Sequence, residues 1–241
     1  MIAAPEHGRV FELPMRPGLA DCAPSGRLRL DALARWLQDV AYGDVDDAGL
    51  ADLAVWVLRR TRIDVKRFPR FGELLTARTF CSGIGRMWAE RRSTIAPVGE
   101  ASGDIEAVAL WVHLDPVTWR PVPFKEKEFA LYGATGSDRR VTARLHHPAP
   151  IQDATQTVWT FRATERDLAD HVNNAAYWQP LEEELLSGPE PDQINVEIEF
   201  RTPSQPGEKR ILTSGPWRWI TGADGEVHAS LLLDSLHLQR G

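Results

Sequence analysis

The chain has only two cysteines in 241 residues, Cys22 and Cys81, far apart and in no metal-ligating spacing. That excludes a disulfide framework and a cysteine zinc site, and it suits a reducing compartment in which both thiols are buried and inert. No run of some 18 apolar residues occurs, so no segment reads as a membrane-spanning helix. The opening stretch MIAAPEHGRVFELPMRPG lacks the apolar core of a secretory leader, and a cytoplasmic protein is expected. Positive charge is also short: the net charge is −6, which gives no global basic field for nucleic acid. Glycine-rich phosphate loops are missing as well, so neither a cofactor nor a metal is expected.

What is present is ordinary globular material, 43% hydrophobic and 26% charged, enough to bury one large core or two smaller ones. Residues 55–68, VWVLRRTRIDVKRF, mix β-branched and charged residues in near alternation, as in a sheet with one solvated face. MWAERRSTIAPVG and DIEAVALWVHLDP follow, joined by the turn-rich EASG, and read as an antiparallel pair. Ahead of them, LDALARWLQDVAYG places Leu30, Leu33, Leu37 and Val40 near helical spacing, with Asp31 as N-cap and Gly43 as stop.

The same order then recurs. TVWTFRAT reads as a strand, NAAYWQPLEEELL as a helix kinked at Pro180, and INVEIEFRT, KRILTSGPWRWIT and EVHASLLLDSLHLQR as strands. A faint echo between IDVKRFPRFGELLTART and VEIEFRTPSQPGEKRILTS supports duplication of one α+β unit. The expected division is residues 1–124, a linker over 125–154 that carries HHPAP as surface loop, and residues 155–241.

The densest polar chemistry lies in DLADHVNNAAYW, residues 167–178, where an aspartate, a histidine and two asparagines run into an apolar helix. Taken locally, this is a polar helix entry with capping side chains. With FELP, WVLRRTRIDVKRFPRFGELLTARTF, LWVHLDPVTWRPVP and VEIEFRTPS in the same order, however, the chain resembles the acyl-acyl-carrier-protein thioesterases of plants and bacteria. The resemblance implies two fused hotdog units, each a central helix wrapped by an antiparallel sheet. It also implies hydrolysis of the thioester between a fatty acyl chain and acyl carrier protein, or coenzyme A, in fatty-acid biosynthesis.

The family pattern Asp-x-Asn-x-His-Val-Asn-Asn is met here by Asp167, His171, Asn173 and Asn174, with Ala169 in place of its asparagine. Its later Glu-Cys pair is replaced by Pro203 and Ser204. The resemblance to single-hotdog acyl-CoA enzymes makes Asp167 the reacting carboxylate, with His171 orienting it or binding substrate. Asp170 then stands where those enzymes often have glycine. Asp167, His171 and Asn173 are thus the expected catalytic residues, and Asn174 and Glu183 are expected to bind substrate.

Arg59 and Arg60 open a basic run, with Arg62, Lys66, Arg67 and Arg70, that would dock an acidic carrier protein; a solvated strand face explains it equally. Tryptophans such as Trp56, Trp88, Trp111, Trp119 and Trp178 would line an acyl tunnel or simply fill the core. Three functions follow: a thioesterase with an altered site, a degenerate acyl-thioester binder favoured by Ala169 and Pro203, or a hotdog dehydratase. The last needs a histidine facing an aspartate across the units, and AYGDVDDAGL supplies none. No membrane or nucleic-acid partner is expected, and a homodimer through sheet edges is open.

Overall fold

The computed structural model describes residues 7–100, 103–136, 139 and 141–238. Part of the expected EASG turn (101–102), part of the expected linker (137, 138 and 140) and both chain ends lie outside the described residues. The first unit contains β1 (Phe11–Met15), α1 (Leu30–Asp47), β2 (Val55–Val65), β3 (Leu75–Ile84), β4 (Trp88–Pro97) and β5 (Ile105–Leu114). In β2 the expected alternation appears: Thr61, Ile63 and Val65 are buried while Arg60, Arg62 and Asp64 are half-exposed. Leu30, Leu33, Leu37 and Val40 form the buried stripe by which α1 packs inside the sheet.

Both expected ends of that helix shift. Arg29 is the N-cap, and Asp31 sits in the first turn, where its carboxylate pairs with Arg29 at 2.9 Å and Arg35 at 3.1 Å. An acidic group there complements the positive end of the helix. Gly43 does not stop α1. It lies under the Phe11 ring, whose atoms would stand 3.0 and 3.1 Å from a Cβ, so glycine serves the close approach of β1.

The second unit repeats the plan with β6 (Thr155–Phe161), α3 (Gln179–Leu186), β7 (Pro191–Phe200), β8 (Gly207–Ser214), β9 (Trp217–Thr221) and β10 (Val227–Leu238). Pro180 causes no kink, because it falls in the first turn of α3, where its missing N–H has no partner to lose. A 3-10 turn over Ala176–Trp178 forms the start of the expected longer helix. KRILTSGPWRWIT is a hairpin rather than one strand, since Gly215 at φ 52° turns the chain between β8 and β9.

The strands form a ten-stranded sheet in the order β1-β3-β4-β5-β2-β7-β10-β9-β8-β6. Reading outward from the centre, each half has the same arrangement, and the equivalent strands β2 and β7 pair antiparallel from Arg60↔Glu199 to Val65↔Ile194. This is the double hotdog expected from the sequence: two helices, each held by its own half of one continuous sheet.

The connection between units is more structured than a loop. Helix α2 (Glu126–Gly136) packs on β3, and buried Glu128 accepts a bond from His113 Nε2 at 3.0 Å. Burial lowers the His113 pKa, but Glu128 and the Val122 carbonyl outweigh it and hold the imidazole above its ordinary value. Further on, His147 is not surface loop. It is buried, with its backbone N–H donating to Glu199 of β7 at 3.0 Å and its ring against Ser230 of β10.

Candidate active site

The polar cluster occupies the loop between β6 and α3. A 3-10 turn over Ala163–Glu165 is followed by a bridge between Arg166 and Val172, closing a short loop that projects Asp167 to His171. Asp170 takes φ 60°, the left-handed conformation that glycine adopts freely and aspartate tolerates. Its carboxylate pairs with Arg166 at 2.7 Å, and its carbonyl accepts from Gln205. Asp170 therefore keeps the turn in place of the motif's glycine.

Within that turn Asp167 is half-buried and held on both oxygens. Oδ1 accepts the Ala169 backbone N–H at 2.9 Å, and Oδ2 accepts Asn173 Nδ2 at 3.3 Å. Asn173 is the hub. Its Oδ1 caps the following turn through the Ala175 N–H at 2.8 Å, and its Nδ2 also donates to Gln38 Oε1 at 3.1 Å. Gln38 belongs to α1, so the loop of the second unit is completed by the helix of the first.

A second loop shows that this crossing is built into the duplication. Residues 18–29 repeat the same geometry: a 3-10 turn Leu19–Asp21, a Cys22↔Leu28 bridge, and an Arg29 N–H donating to the Asp21 carbonyl as Asn173 does to Glu165. Ten residues beyond each bridge stand Gln38 and Glu182. Glu182 of α3 reaches the first loop, accepting Arg27 Nη2 at 2.5 Å and the Leu30 N–H at 2.9 Å. Burial raises the Glu182 pKa despite Arg27. One crossing is a polar loop with a carboxylate; the other is filled by a buried ion pair.

The remaining expected site residues are distributed unevenly. His171 is half-buried in the loop, but only its backbone meets Asp167, whose N–H donates to the His171 carbonyl at 3.0 Å. Asn173, rather than His171, orients the Asp167 carboxylate. Asn174 starts the turn into α3, and its backbone N–H meets no acceptor among the described residues. Glu183 is exposed on the outer face of α3, while its neighbour Glu182 points inward. Arg59 donates to the Arg201 carbonyl, and Arg60 meets Glu197 and His146; neither bonds the loop. Arg62, Arg67 and Arg70 of the basic run are each paired with an acidic group, as Arg60 is with Glu197. Pro203 is exposed and Ser204 buried, with the Tyr177 hydroxyl bonded to Ser204 and its pKa pushed up to about 12 by burial.

Sequence reasoning missed Gln38 and the cavity beside it. Between α1 and the inner sheet face, small Ala34, Ala107 and Ala109 leave a narrow space that Gln38 and Trp178 border on the loop side. Leu37, Leu58 and Trp111 make its walls largely apolar. The small residues in mid-strand were the available signal: alanines at alternate positions of β5 cannot fill a core.

One cluster outside the loop has the residue types of a metal site. Ligand atoms of His146, His147, Glu197 and Glu199 lie within 4.8 Å of one another. Arg60 and Arg201 approach the two carboxylates at 4.0 and 3.7 Å and already supply positive charge. Glu199 moreover accepts the N–H groups of both histidines at 2.7 and 3.0 Å. The arrangement fastens the connecting segment to the sheet.

Comparison with known proteins agrees with this architecture. Residues 9–132 match the family model of the acyl-ACP thioesterase N-terminal domain. Two uncharacterized proteins of Mycobacterium tuberculosis are 29% identical over 210 residues, covering 86% of this chain and 83% of theirs. Among solved structures, a proposed oleoyl thioesterase from Lactobacillus plantarum superposes with TM-score 0.78 at 20% identity, over 98% of this chain and 99% of its own. The 12:0-ACP thioesterase from Umbellularia californica gives 0.76 at 17% identity, over 97% of this chain and 99% of its own. These structural likenesses establish the fold, and the matched family model, spanning more than half of the sequence, places the chain in the acyl-ACP thioesterase family.

Proposed function

We propose that the protein hydrolyses the thioester of a fatty acyl group carried on acyl carrier protein, using Asp167 in place of the missing family groups. The observation that carries this reading is the chain Asp167–Asn173–Gln38, which stands beside the apolar cavity under α1. That cavity is only about 20 Å³, so the acyl chain would enter by parting α1 from the inner sheet face there, with the thioester at the loop. Asp167 takes a proton from water as the hydroxide adds to the carbonyl carbon, and on collapse the C–S bond breaks and that proton passes from Asp167 to the leaving sulfur, giving thiol and free acid. The Asn174 amide at the start of the turn donates to the developing oxyanion. Asn173 keeps the carboxylate aimed, and Gln38 keeps Asn173 aimed.

A second reading, an acyl-thioester binder without turnover, is favoured by Ala169 and Pro203, which remove two of the family's polar groups. Free-thiol release from acyl-ACP and acyl-CoA panels separates the two. Turnover that disappears in Asp167→Asn supports the hydrolase; saturable acyl-ACP binding without thiol release establishes the binder. On the hydrolase reading the protein supplies free fatty acid in the cytoplasm and needs no cofactor.

A further inference from the structure

The ten-stranded sheet has two edges, β1 and β6. A free edge leaves backbone N–H and C=O groups unpaired, and proteins blunt it with proline, charge, a bulge or a short strand. The β1 edge carries three of these devices. It is five residues long, its Pro14 has no N–H to offer, and Glu12 places a carboxylate on it.

The β6 edge is left open. Thr155–Phe161 reads TQTVWTF, seven residues without a charge, a proline or a glycine. Its register with β8 runs unbroken from Thr155↔Thr213 to Phe161↔Gly207, so no bulge twists it away. Among the described residues β8 is its only strand partner. Thr155, Gln156, Thr157 and Val158 are exposed in succession, and since consecutive side chains point to opposite faces, neither face of the strand is covered there. Val158, at the middle, is 59% exposed.

We propose that β6 is a dimer interface, in which a second copy of this chain adds its own β6 antiparallel about a two-fold axis at Val158. In that register Val158 meets its own counterpart, Gln156 meets Thr160 and Thr157 meets Trp159, so no charge is enclosed. Just outside the paired stretch stand Asp153 and Arg162, both exposed and in no salt bridge among the described residues. The two-fold brings Asp153 of each copy beside Arg162 of the other, at both ends of the ladder. This charge match favours a second copy over an extended segment of another protein. Because β6 runs into the 3-10 turn Ala163–Glu165, the second copy would flank the Asp167 loop, whether or not that loop hydrolyses thioesters.

Sedimentation velocity of the full chain over about 1 to 100 μM tests the pairing. We expect the mass to rise toward twice 27.0 kDa. Val158→Lys sets two ammonium groups face to face and should leave a monomer with an unchanged far-ultraviolet circular dichroism spectrum. Asp153→Arg alone and Arg162→Asp alone should each weaken association by about tenfold, since attraction becomes repulsion at both ends, and the two combined should restore it. A wild type that stays monomeric over that range overturns the proposal and leaves the edge to a segment of another protein. A dimer indifferent to Val158→Lys and to the charge exchange also overturns it, because its interface then lies elsewhere.

Discussion

Gln38 and Glu182 occupy the same position in the two units, and each reaches across to the loop of the other unit. Gln38 meets Asn173 at 3.1 Å in the second loop, and Glu182 meets Arg27 at 2.5 Å in the first. The same crossing has been given two chemistries. Where the partner is a neutral amide, the loop holds a half-buried carboxylate, Asp167; where it is a carboxylate, an arginine closes the space.

Gln38→Ala should therefore affect rate more than stability. The amide is half-buried and its loss frees Asn173 to move, so kcat/KM for the best acyl-ACP should fall about 5- to 10-fold, the worth of one hydrogen bond. Steady-state kinetics beside a thermal melt check this, and a melt displaced as far as the rate would show a structural role instead.

Glu182→Gln makes the opposite case. It leaves Arg27 charged and enclosed in the core, a change that typically costs about 3 kcal/mol. Denaturant unfolding should show that loss while kcat/KM of the folded fraction stays within about twofold.

Asp167→Asn keeps the size of the side chain but removes the group that, on the hydrolase reading, takes the proton. Thiol release should drop by roughly 10²- to 10⁴-fold, the usual contribution of a positioned base, with the melting temperature nearly unchanged. Asn173→Ala should follow it part of the way, since the carboxylate remains but loses its aim.

The strap over the outer sheet face should respond to acid. Burial tends to raise the Glu197 pKa, but the His147 hydrogen bond and the Arg60, His147 and His146 charges hold it below the ordinary value. A depressed carboxylate contributes stability that is fully present above its unfolded pKa, about 4.3, and lost as pH falls through the folded value. Glu197→Gln should thus lower the melting temperature at pH 7 and lose that difference toward acid. A parallel pair of melting curves against pH would refute the assignment.

Most of the architecture was legible in the sequence because it rests on short-range patterns. Alternation in VWVLRRTRIDV and helical spacing in Leu30, Leu33, Leu37 and Val40 each specify one element. Boundaries were less so: Gly43 reads as a stop until Phe11, distant in sequence, is seen to need the space, and Pro180 reads as a kink until the preceding turn is seen. For the loop, Asp167 and Asn173 were visible as residue types, but their partner Gln38 lies on the other unit and leaves no local trace. Glu182 and Glu183 are adjacent and chemically alike. Only the rotation of α3 decides that the first is buried against Arg27 and the second faces outward.

Joining the two units in one chain also changes the counting. In a dimer of identical units, any substitution that improves one crossing is copied into the other, and two equal sites result. Here Arg27 and His171 hold equivalent places and have diverged independently, so on the hydrolase reading each chain would carry one acyl site. Titration with a non-hydrolysable acyl-ACP analogue would then saturate at one equivalent for each 27.0 kDa of protein.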